Sequence, residues 1–201
     1  MSKLYFRYGA MNSGKSTALL QAAYNYEERG QRVLLAKPVI DTKGDRSIVS
    51  RLGVVRDVDF TISPGDDVRA LLDAERARVL ATTGEPVACL LIDEAQFLEP
   101  TQVDGLLRVA VDGVPVLAYG IRTDFQTVAF PGSRRLLEIA HSLEELKTIC
   151  RCGRKALFNG RKVDGVFVFA GDQVAIEAGE VVYESLCAAC YLEESGGALT
   201  A

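Results

Sequence analysis

The sequence lacks a surplus of positive charge and any long apolar run, and both absences narrow the choice of function. Its 201 residues carry 23 Lys and Arg against 27 Asp and Glu, which gives a formal net charge of -4. Such a chain has no overall attraction to nucleic acid or to an anionic membrane surface. No stretch approaches the roughly 18 apolar residues that span a bilayer, and the N-terminal residues contain no apolar signal-peptide core. We therefore expect an unexported, cytoplasmic protein that binds neither membrane nor nucleic acid.

Cysteine is scarce, but four of the five cysteines occur in pairs. Cys89 lies inside an apolar run, where it is most simply a small core residue. In a reducing compartment paired cysteines favour a metal over disulfides, and four thiolates suit tetrahedral Zn²⁺. The alternatives are two reduced pairs or a disulfide. We predict a closed, structural zinc site whose ligands are Cys150, Cys152, Cys187 and Cys190.

Apolar patterning predicts strands that alternate with helices. With 48% hydrophobic residues, the chain can bury one substantial core and carry one small appendage. Alternating strands and helices indicate a mostly parallel sheet with helices on both faces, which binds ligands beyond the carboxyl ends of its strands. The single histidine, His141, is expected at the surface or at a helix end. Strands are predicted at 3–8, 33–36, 87–92 and 115–119, and helices at 16–29, 66–80 and 101–111.

Beyond about residue 146 helical periodicity gives way to short β-like segments, at 166–169, 174–176 and 181–183. A segment of this kind builds little core, so a bound metal would help to fold it. Long loops, which often bind ligands, are predicted at 41–57, 120–133 and 159–180. We expect a main domain at 1–146, a small zinc-ribbon-like β domain at 147–192 and a flexible tail at 193–201.

The first predicted strand and helix enclose a complete phosphate-binding motif. Residues 9–16 read GAMNSGKS, which matches G-x-x-x-x-G-K-[ST] between a strand and a helix. In this P-loop the backbone amides surround phosphate oxygens, Lys15 reaches the β- and γ-phosphates, and Ser16 ligates Mg²⁺. The fold class is therefore a P-loop, RecA-like α/β domain. The ATP site is predicted to contain Gly9, Ala10, Met11, Asn12, Ser13, Gly14, Lys15, Ser16 and Thr17.

An acidic pair ends the apolar strand at 87–92. Asp93 is suited to hold the metal directly or through water. Glu94 is suited to act as a general base or as an orienting group for an attacking oxygen. Ala95 and Gln96, which follow, are assigned with them to the ATP and Mg²⁺ site. The DEAQ tetrapeptide also resembles a helicase box, but one nucleotide-binding domain, a net acidic charge and no stacking stripe argue against a nucleic-acid motor.

Six motifs together resemble the thymidine kinases of the P-loop and zinc-ribbon type. They are GAMNSGKST at 9–17, KPVIDT at 37–42, SRLG at 50–53, IDEAQF at 92–97, YGIRTDFQ at 119–126 and the late cysteine pairs. The resemblance extends from about residue 3 to residue 192. It implies phosphoryl transfer from ATP to the 5′-hydroxyl of thymidine or deoxyuridine, with Mg²⁺ as cofactor and structural Zn²⁺.

The resemblance also implies roles for individual residues. Glu94 corresponds to the catalytic base, and Arg51 to an arginine on a loop near the transferring phosphate, whereas Arg46 is either a further phosphate contact or solvated. Main-chain groups of a covering loop read the base, although glutamate and alanine stand at 177 and 178 where many relatives have glycine. The base pocket would comprise Met11, Phe97, Ile121, Phe125, Tyr183 and the loop residues Val174, Ala175, Ile176, Glu177 and Ala178.

Finally, the resemblance implies a homotetramer and feedback inhibition by thymidine triphosphate. Three alternatives stay open from the residues themselves. The first is a kinase for another acceptor, the second is a nucleic-acid-binding ATPase, and the third is a nucleotide-gated binding protein without turnover. The proposed pocket aromatics, taken singly, are equally compatible with ordinary core packing.

Overall fold

The computed structural model describes residues 2–40, 46–171, 173 and 180–199. In this part of the chain no helix combines the length and apolar character that crossing a bilayer requires. The helices are α1 (Lys15–Glu27), α2 (Val68–Thr83), α3 (Pro100–Val111), α4 (Pro131–Ile139) and α5 (Ala188–Glu194), and a single 3₁₀ turn spans Ala95–Phe97. The strands are β1 (Leu4–Tyr8), β2 (Arg32–Pro38), β3 (Ser47–Val49), β4 (Val55–Asp57), β5 (Phe60–Ile62), β6 (Val87–Ile92), β7 (Val116–Gly120), β8 (Ser142–Glu145), β9 (Thr148–Ile149), β10 (Lys155–Ala156), β11 (Phe158–Val163), β12 (Val166–Val168) and β13 (Val181–Leu186).

Six strands form one parallel sheet in the order β5-β2-β6-β7-β1-β8. β6 and β7 are almost entirely buried, which fits strands covered on both faces. β1 and β6 lie on either side of β7, so the P-loop and the acidic pair emerge at the same sheet edge. The predicted α/β class with a parallel sheet is confirmed.

Helices cover both faces of this sheet. On one face, α1 contributes Leu19 and Ala23 to a buried cluster with alternate residues of β2, β6 and β7. On the other, α2, α3 and α4 pack against the remaining inward residues of β1, β2, β6 and β7. Burial of apolar surface on two faces is what fixes the positions of the strand ends.

Polar side chains define where two of these helices begin. Asp67 accepts hydrogen bonds from the amides of Arg69 and Ala70 and so starts α2. At α3, Pro100 occupies the first turn, and the buried Gln102 accepts from the Glu99 amide at 3.0 Å and donates to the Ser63 carbonyl at 2.8 Å. These bonds hold α3 against the loop after β5.

Several elements lie in segments that the sequence predicted as loops. The 41–57 segment contains the β3–β4 hairpin, and α4 begins at Pro131 inside the predicted loop at 120–133. The strands β5 and β8 were also missed because each is only three or four residues long. They add the two edges of the sheet, where little apolar patterning is required.

The C-terminal region is mainly antiparallel. β12, β11 and β13 form a three-stranded sheet, and β9 pairs with β10. The expected loop at 159–180 is therefore wrong for its first part, because β11 and β12 form a hairpin there; the predicted β segment at 174–176 lies outside the described residues. The short helix α5 ends at Glu194, two residues into the predicted tail.

His141 joins two strands. It is exposed, as expected, but its Nδ1 accepts a hydrogen bond from the Leu4 amide at 3.0 Å and its own amide donates to the Leu4 carbonyl at 2.9 Å. The residue lies between α4 and β8 and fixes the beginning of the β1–β8 pairing.

Candidate active site and cysteine cluster

The turn between β1 and α1 has the backbone that a phosphate-binding loop needs. Asn12 and Gly14 have positive φ angles of 65° and 75°. A β-carbon at Gly9 would lie 2.4 Å from both the Leu146 carbonyl oxygen and Ser13 Oγ, so only glycine fits there. Left-handed positions of this kind turn successive amides toward one side, and the N-terminus of α1 adds its dipole.

Lys15 places its charge inside this turn. The residue is 9% exposed, and Nζ donates to the carbonyl oxygens of Ala10 at 3.0 Å and Gly9 at 3.3 Å. A cation at the N-terminus of a helix, enclosed by main-chain groups, favours an anionic ligand at the same position.

Ser16 and Asp93 meet at the sheet edge. Ser16 Oγ donates to Asp93 Oδ2 at 2.9 Å, and Asp93 is 5% exposed. Burial raises the pKa of the Asp93 carboxyl, and the negative charge of Glu94 adds to the effect. Two cis ligands of octahedral Mg²⁺, bound at about 2.0 to 2.1 Å, are about 2.9 Å apart. The hydroxyl and the carboxylate are therefore residues that could hold Mg²⁺ after small shifts from their direct hydrogen bond.

Glu94 follows in an uncommon conformation. Its φ of 50° places it in the left-handed region, at the start of the 3₁₀ turn Ala95–Phe97. The partly buried carboxylate accepts a hydrogen bond of 2.5 Å from Gln96 Nε2. Non-glycine residues held this way cluster at functional sites.

One cavity of about 880 Å³ is lined by ten of the residues predicted for the nucleotide and acceptor sites. Of the predicted residues, Gly9, Ala10, Ser13, Ala95, Gln96, Phe97, Phe125 and Tyr183 do not line it, and 174–178 lie outside the described part of the chain. The predicted residues that line it are Met11, Asn12, Gly14, Lys15, Ser16, Thr17, Arg51, Asp93, Glu94 and Ile121; Ala18, Gln21, Ser47, Ile48, Val49 and Leu52 complete the lining.

Arg51 reaches this cavity from the β3–β4 hairpin. It is exposed, and it follows Ser50, whose hydroxyl accepts from the Val54 amide at 3.1 Å and shapes the turn. Arg56 of β4 forms two hydrogen bonds, of 2.7 and 2.5 Å, with the Glu27 carboxylate at the end of α1. The exposed Arg46 precedes the hairpin and does not line the cavity.

The predicted pocket aromatics pack among other side chains. The half-buried Phe97 meets Phe130 edge to face at 5.5 Å between ring centroids. Phe125 is 1% exposed, with the Arg161 guanidinium 3.8 Å from its ring centroid. Tyr183 lies half-buried on β13, paired with Arg161 of β11.

The motif at 119–126 contains a structural loop. Buried Asp124 accepts from the amides of Gln126 at 2.8 Å and Val128 at 2.9 Å, and from Gln173 Nε2 at 2.9 Å. Thr127 has a φ of 67° within the same turn. This part of the motif therefore fixes the main chain between Ile121 and α4.

Asn159 and Ser185 were missed by the sequence reasoning. Asn159, 2% exposed, accepts from the Met11 amide at 2.7 Å and donates to the Thr123 carbonyl at 2.9 Å. Ser185 Oγ donates to the Met11 carbonyl. The C-terminal sheet thus holds both main-chain groups of a P-loop residue. No local pattern marks these residues, since their partners are 148 and 174 positions away.

The four predicted cysteines form one cluster. Their four sulfur atoms all lie within 4.8 Å of one another, and the sulfurs of Cys152 and Cys187 are 3.5 Å apart. Tetrahedral zinc with bonds of about 2.3 Å separates its sulfurs by about 3.8 Å. All five cysteines are free thiols, and Cys89 is buried in the sheet core as expected. The cluster fits a metal ion such as zinc.

Hydrogen bonds within the cluster shift the thiol pKa values of Cys187 and Cys190 in opposite directions. The Cys190 amide donates to Cys187 Sγ at 3.5 Å, and this bond is the main reason that the pKa of the Cys187 thiol is lowered to about 6. Hydrogen bonding to the other three sulfurs raises the pKa of Cys190 to about 12. A lowered thiol pKa favours the thiolate, which is the form that binds metal.

The fold and the site define a P-loop nucleotide-binding protein, with an acidic pair across the sheet edge from the phosphate loop. Sequence comparisons identify its family. A family model described as "Thymidine kinase" matches residues 2–191. The chain therefore belongs to the thymidine kinase family of enzymes.

Individual relatives agree over nearly their whole length. The chain is 48% identical to a "Thymidine kinase" of Ruegeria pomeroyi, over 98% of this chain and 96% of that protein. It is 48% identical to one of Idiomarina loihiensis, over 98% of this chain and 99% of the relative. Identity to one of Enterobacteria phage T4 is 44%, over 93% of this chain and 94% of the relative. The resemblance seen in the sequence motifs is thus confirmed.

Proposed function

We propose that this protein transfers the γ-phosphate of ATP to the 5′-hydroxyl of thymidine, and of deoxyuridine, to give the 5′-monophosphate and ADP in nucleotide salvage. The observation that carries the proposal is that Lys15, Ser16, Asp93 and Glu94 line one cavity at the sheet edge. Family membership supplies the acceptor, since the matched relatives are named thymidine kinases.

The reaction forms a bond from the 5′-oxygen to the γ-phosphorus and breaks the bond to the β-phosphate oxygen, which leaves with its electron pair on ADP. Glu94 accepts the hydroxyl proton. Lys15 offsets negative charge on the β- and γ-phosphates. Ser16 and Asp93 would hold Mg²⁺, which would help to offset the negative charge of the phosphates. Positioning and charge account for most of the acceleration in such reactions.

The acceptor would lie beside Met11 and Ile121, which line the same cavity as Glu94. Phe97, Phe125 and Tyr183 would form the outer wall of the base pocket, where a flat pyrimidine gains from aromatic contact. In the same proposal, main-chain groups of Val174, Ala175, Ile176, Glu177 and Ala178 read the polar edge of the base. Arg51 would meet the transferring phosphate from its exposed turn.

Zinc is the metal that we propose for Cys150, Cys152, Cys187 and Cys190. A four-sulfur set leaves no open coordination position, so the ion would be structural. Support comes from the spacing of the four sulfurs. The five free thiols also favour a reducing, cytoplasmic location.

The proposal extends to assembly and control. We propose a homotetramer that is inhibited by thymidine triphosphate at the acceptor site, both as properties implied by the family. The division at about residue 146 is proposed as the boundary between the kinase domain and the metal-bearing domain. Light scattering of the purified protein, with and without thymidine triphosphate, measures the number of subunits. Inhibition by thymidine triphosphate that is relieved by added thymidine would test binding at the acceptor site.

The decisive experiment measures phosphoryl transfer from γ-labelled ATP with Mg²⁺ to thymidine, deoxyuridine, deoxycytidine, deoxyadenosine and deoxyguanosine. Native protein is compared with Glu94→Gln, in which the base is lost at constant size. We expect labelled thymidine and deoxyuridine monophosphates, and a decrease in kcat of about 10²- to 10⁴-fold in the variant. If only another nucleoside is labelled, the assignment of thymidine as acceptor is wrong. If DNA stimulates ATP hydrolysis and nucleosides have no effect, the assignment of kinase activity is wrong.

A further inference from the structure

Gln96 was assigned to the nucleotide site, but the structure places it behind that site. Its side chain is 1% exposed, and it does not line the cavity that contains Glu94. Both ends of the amide are bonded to protein groups. Nε2 donates to Glu94 Oε2 at 2.5 Å, and Oε1 accepts from the Ile121 amide at 3.1 Å.

The backbone partner fixes which end of the amide faces Glu94. The Ile121 N–H is only a donor, so it requires the oxygen of Gln96. The NH₂ group must then point to the carboxylate. A flipped amide would set an N–H against the Ile121 N–H and an oxygen against the Glu94 oxygen, and both contacts would be repulsive.

Two glycines allow the surrounding chain to close on this amide. A β-carbon at Gly120 would lie 2.7 Å from Gln96 Oε1 and 3.1 Å from the main-chain nitrogen of Gln96. One at Gly132 would lie 2.9 Å from the Gln96 carbonyl oxygen. Ser133 Oγ, fully buried, donates to the Ile121 carbonyl at 2.5 Å and fixes the other side of the Ile121 main chain. Gln96 is thus held by the end of β7 and the beginning of α4.

Glu94 needs such support more than most carboxylates do. Its backbone is in the left-handed region. A glutamate side chain also has several torsions, each with more than one staggered rotamer. The Gln96 side chain is itself hydrogen-bonded to the main chain directly after β7. A buried donor held in this way selects one position of the Glu94 oxygens.

We propose that Gln96 is a positioning residue that holds the Glu94 carboxylate where it meets the acceptor hydroxyl, and that it does not contact ATP or Mg²⁺. Gln96 links the catalytic carboxylate to Ile121, a residue that lines the same cavity. The inference rests on the proposed function, because it assumes that Glu94 is the base.

The test compares two substitutions at Gln96 with a matched one elsewhere. Gln96→Met keeps the length of the side chain and removes both hydrogen bonds. Gln96→Glu keeps an acceptor for the Ile121 amide but turns an acceptor, instead of a donor, toward Glu94. Gln102→Met is the control, because Gln102 is also buried and bonded at both ends, to Glu99 and Ser63, but lies outside the cavity lining.

We expect kcat to fall roughly 10- to 100-fold in both Gln96 variants, with the KM values for ATP and thymidine changed by less than about twofold. Gln102→Met should keep its kcat even though its thermal unfolding temperature falls. A rise in the KM for ATP as the main effect would show a nucleotide contact and overturn the proposal. So would native kcat in either Gln96 variant.

A double-mutant cycle separates positioning from general damage to the fold. In Glu94→Asp the carboxylate is one methylene shorter and lies beyond reach of Gln96, so Gln96→Met should change kcat by less than about twofold in this background. An equal loss of kcat in both backgrounds would refute positioning. Undiminished activity in Glu94→Gln would instead refute Glu94 as the base, so failure of the proposed function is seen separately.

Discussion

The main sheet and the cysteine region differ in how much apolar surface each encloses. Among the residues that the structure describes, the buried cluster on one face of the sheet has 22 hydrophobic residues and that on the other face has 10. The cysteine region has six, and three of these are Cys150, Cys187 and Cys190. A cluster of that size does not offset the entropy of ordering its strands, so we infer that the metal supplies the remainder.

The two regions nevertheless meet at one residue of the active site. Met11 is in the phosphate loop, yet its amide and carbonyl are bonded to Asn159 and Ser185 of the C-terminal sheet. Tyr191, next to the last cysteine, donates to the Phe125 carbonyl at 2.8 Å. The cysteine region therefore holds main-chain groups of loops that follow β1 and β7 of the main sheet.

The largest expected effect isolates catalysis from folding. Lys15→Met removes the enclosed ammonium, so kcat/KM for ATP should fall about 10³-fold, because charge on the phosphates is no longer offset. Steady-state kinetics measures it, and zinc content by atomic absorption should stay at the native level. A decrease below about tenfold would contradict the assignment of Lys15 to the phosphates.

Loss of the metal should unfold the cysteine region before the main sheet. Cys187→Ser removes one thiolate, so bound zinc should be lost and the unfolding temperature should fall by about 10 °C, as expected for a loss of several kcal/mol. Calorimetry and metal analysis check this. Cys89→Ala is the matched control, since it removes a buried thiol from the sheet core and should keep the metal. Full thermal stability of metal-free protein would refute a structural ion.

The junction between the regions is expected to have an intermediate effect. Asn159→Ala removes two buried hydrogen bonds and leaves the Met11 amide without its acceptor, which costs about 2 to 4 kcal/mol. The KM values for ATP and thymidine should both rise, because Met11 belongs to the phosphate loop and lines the cavity. Urea unfolding and steady-state kinetics measure the two effects.

Asn159→Asp keeps the acceptor for Met11 but sets a buried carboxylate oxygen against the Thr123 carbonyl, so it should lower stability while keeping the KM values closer to native than Asn159→Ala does. An equal rise of the KM values in both variants would mean that the bond to Met11 does not shape the phosphate loop. The comparison thereby shows which hydrogen bond of Asn159 couples the C-terminal sheet to the phosphate loop.

The smallest expected effect concerns the hairpin that carries Arg51. Hydrogen bonding to Arg56 lowers the pKa of Glu27, so the pair stabilises the fold above the ordinary carboxyl pKa and loses its effect as pH falls through the lowered value. Glu27→Gln should cost at most about 1 kcal/mol near pH 7, since the pair is partly exposed. Urea unfolding from pH 7 to pH 3 should show the variant and native protein converging in acid.

Long periodic segments and local motifs were predictable, and short or distant features were not. The apolar run before Asp93 and the turn from Gly9 to Ser16 carry their signals in neighbouring residues, so both emerged with nearly correct bounds. β5 and β8 carry too few residues for a pattern. Gln96 was placed with the nucleotide because it follows Glu94 in sequence, whereas its buried position depends on Gly120 and Gly132 of other elements.

The sequence by itself determined the α/β class, the phosphate loop, the acidic pair and the four clustered cysteines, because each is encoded in local spacing and side-chain chemistry. Only the tertiary structure decided what holds these parts together. The bonds from Asn159 and Ser185 to Met11, and from Gln96 to Glu94 and Ile121, use ordinary polar residues whose partners depend on how the sheet and its loops close. Burial gives such bonds their importance, because a polar group removed from water needs a partner nearby, and that partner is chosen by packing.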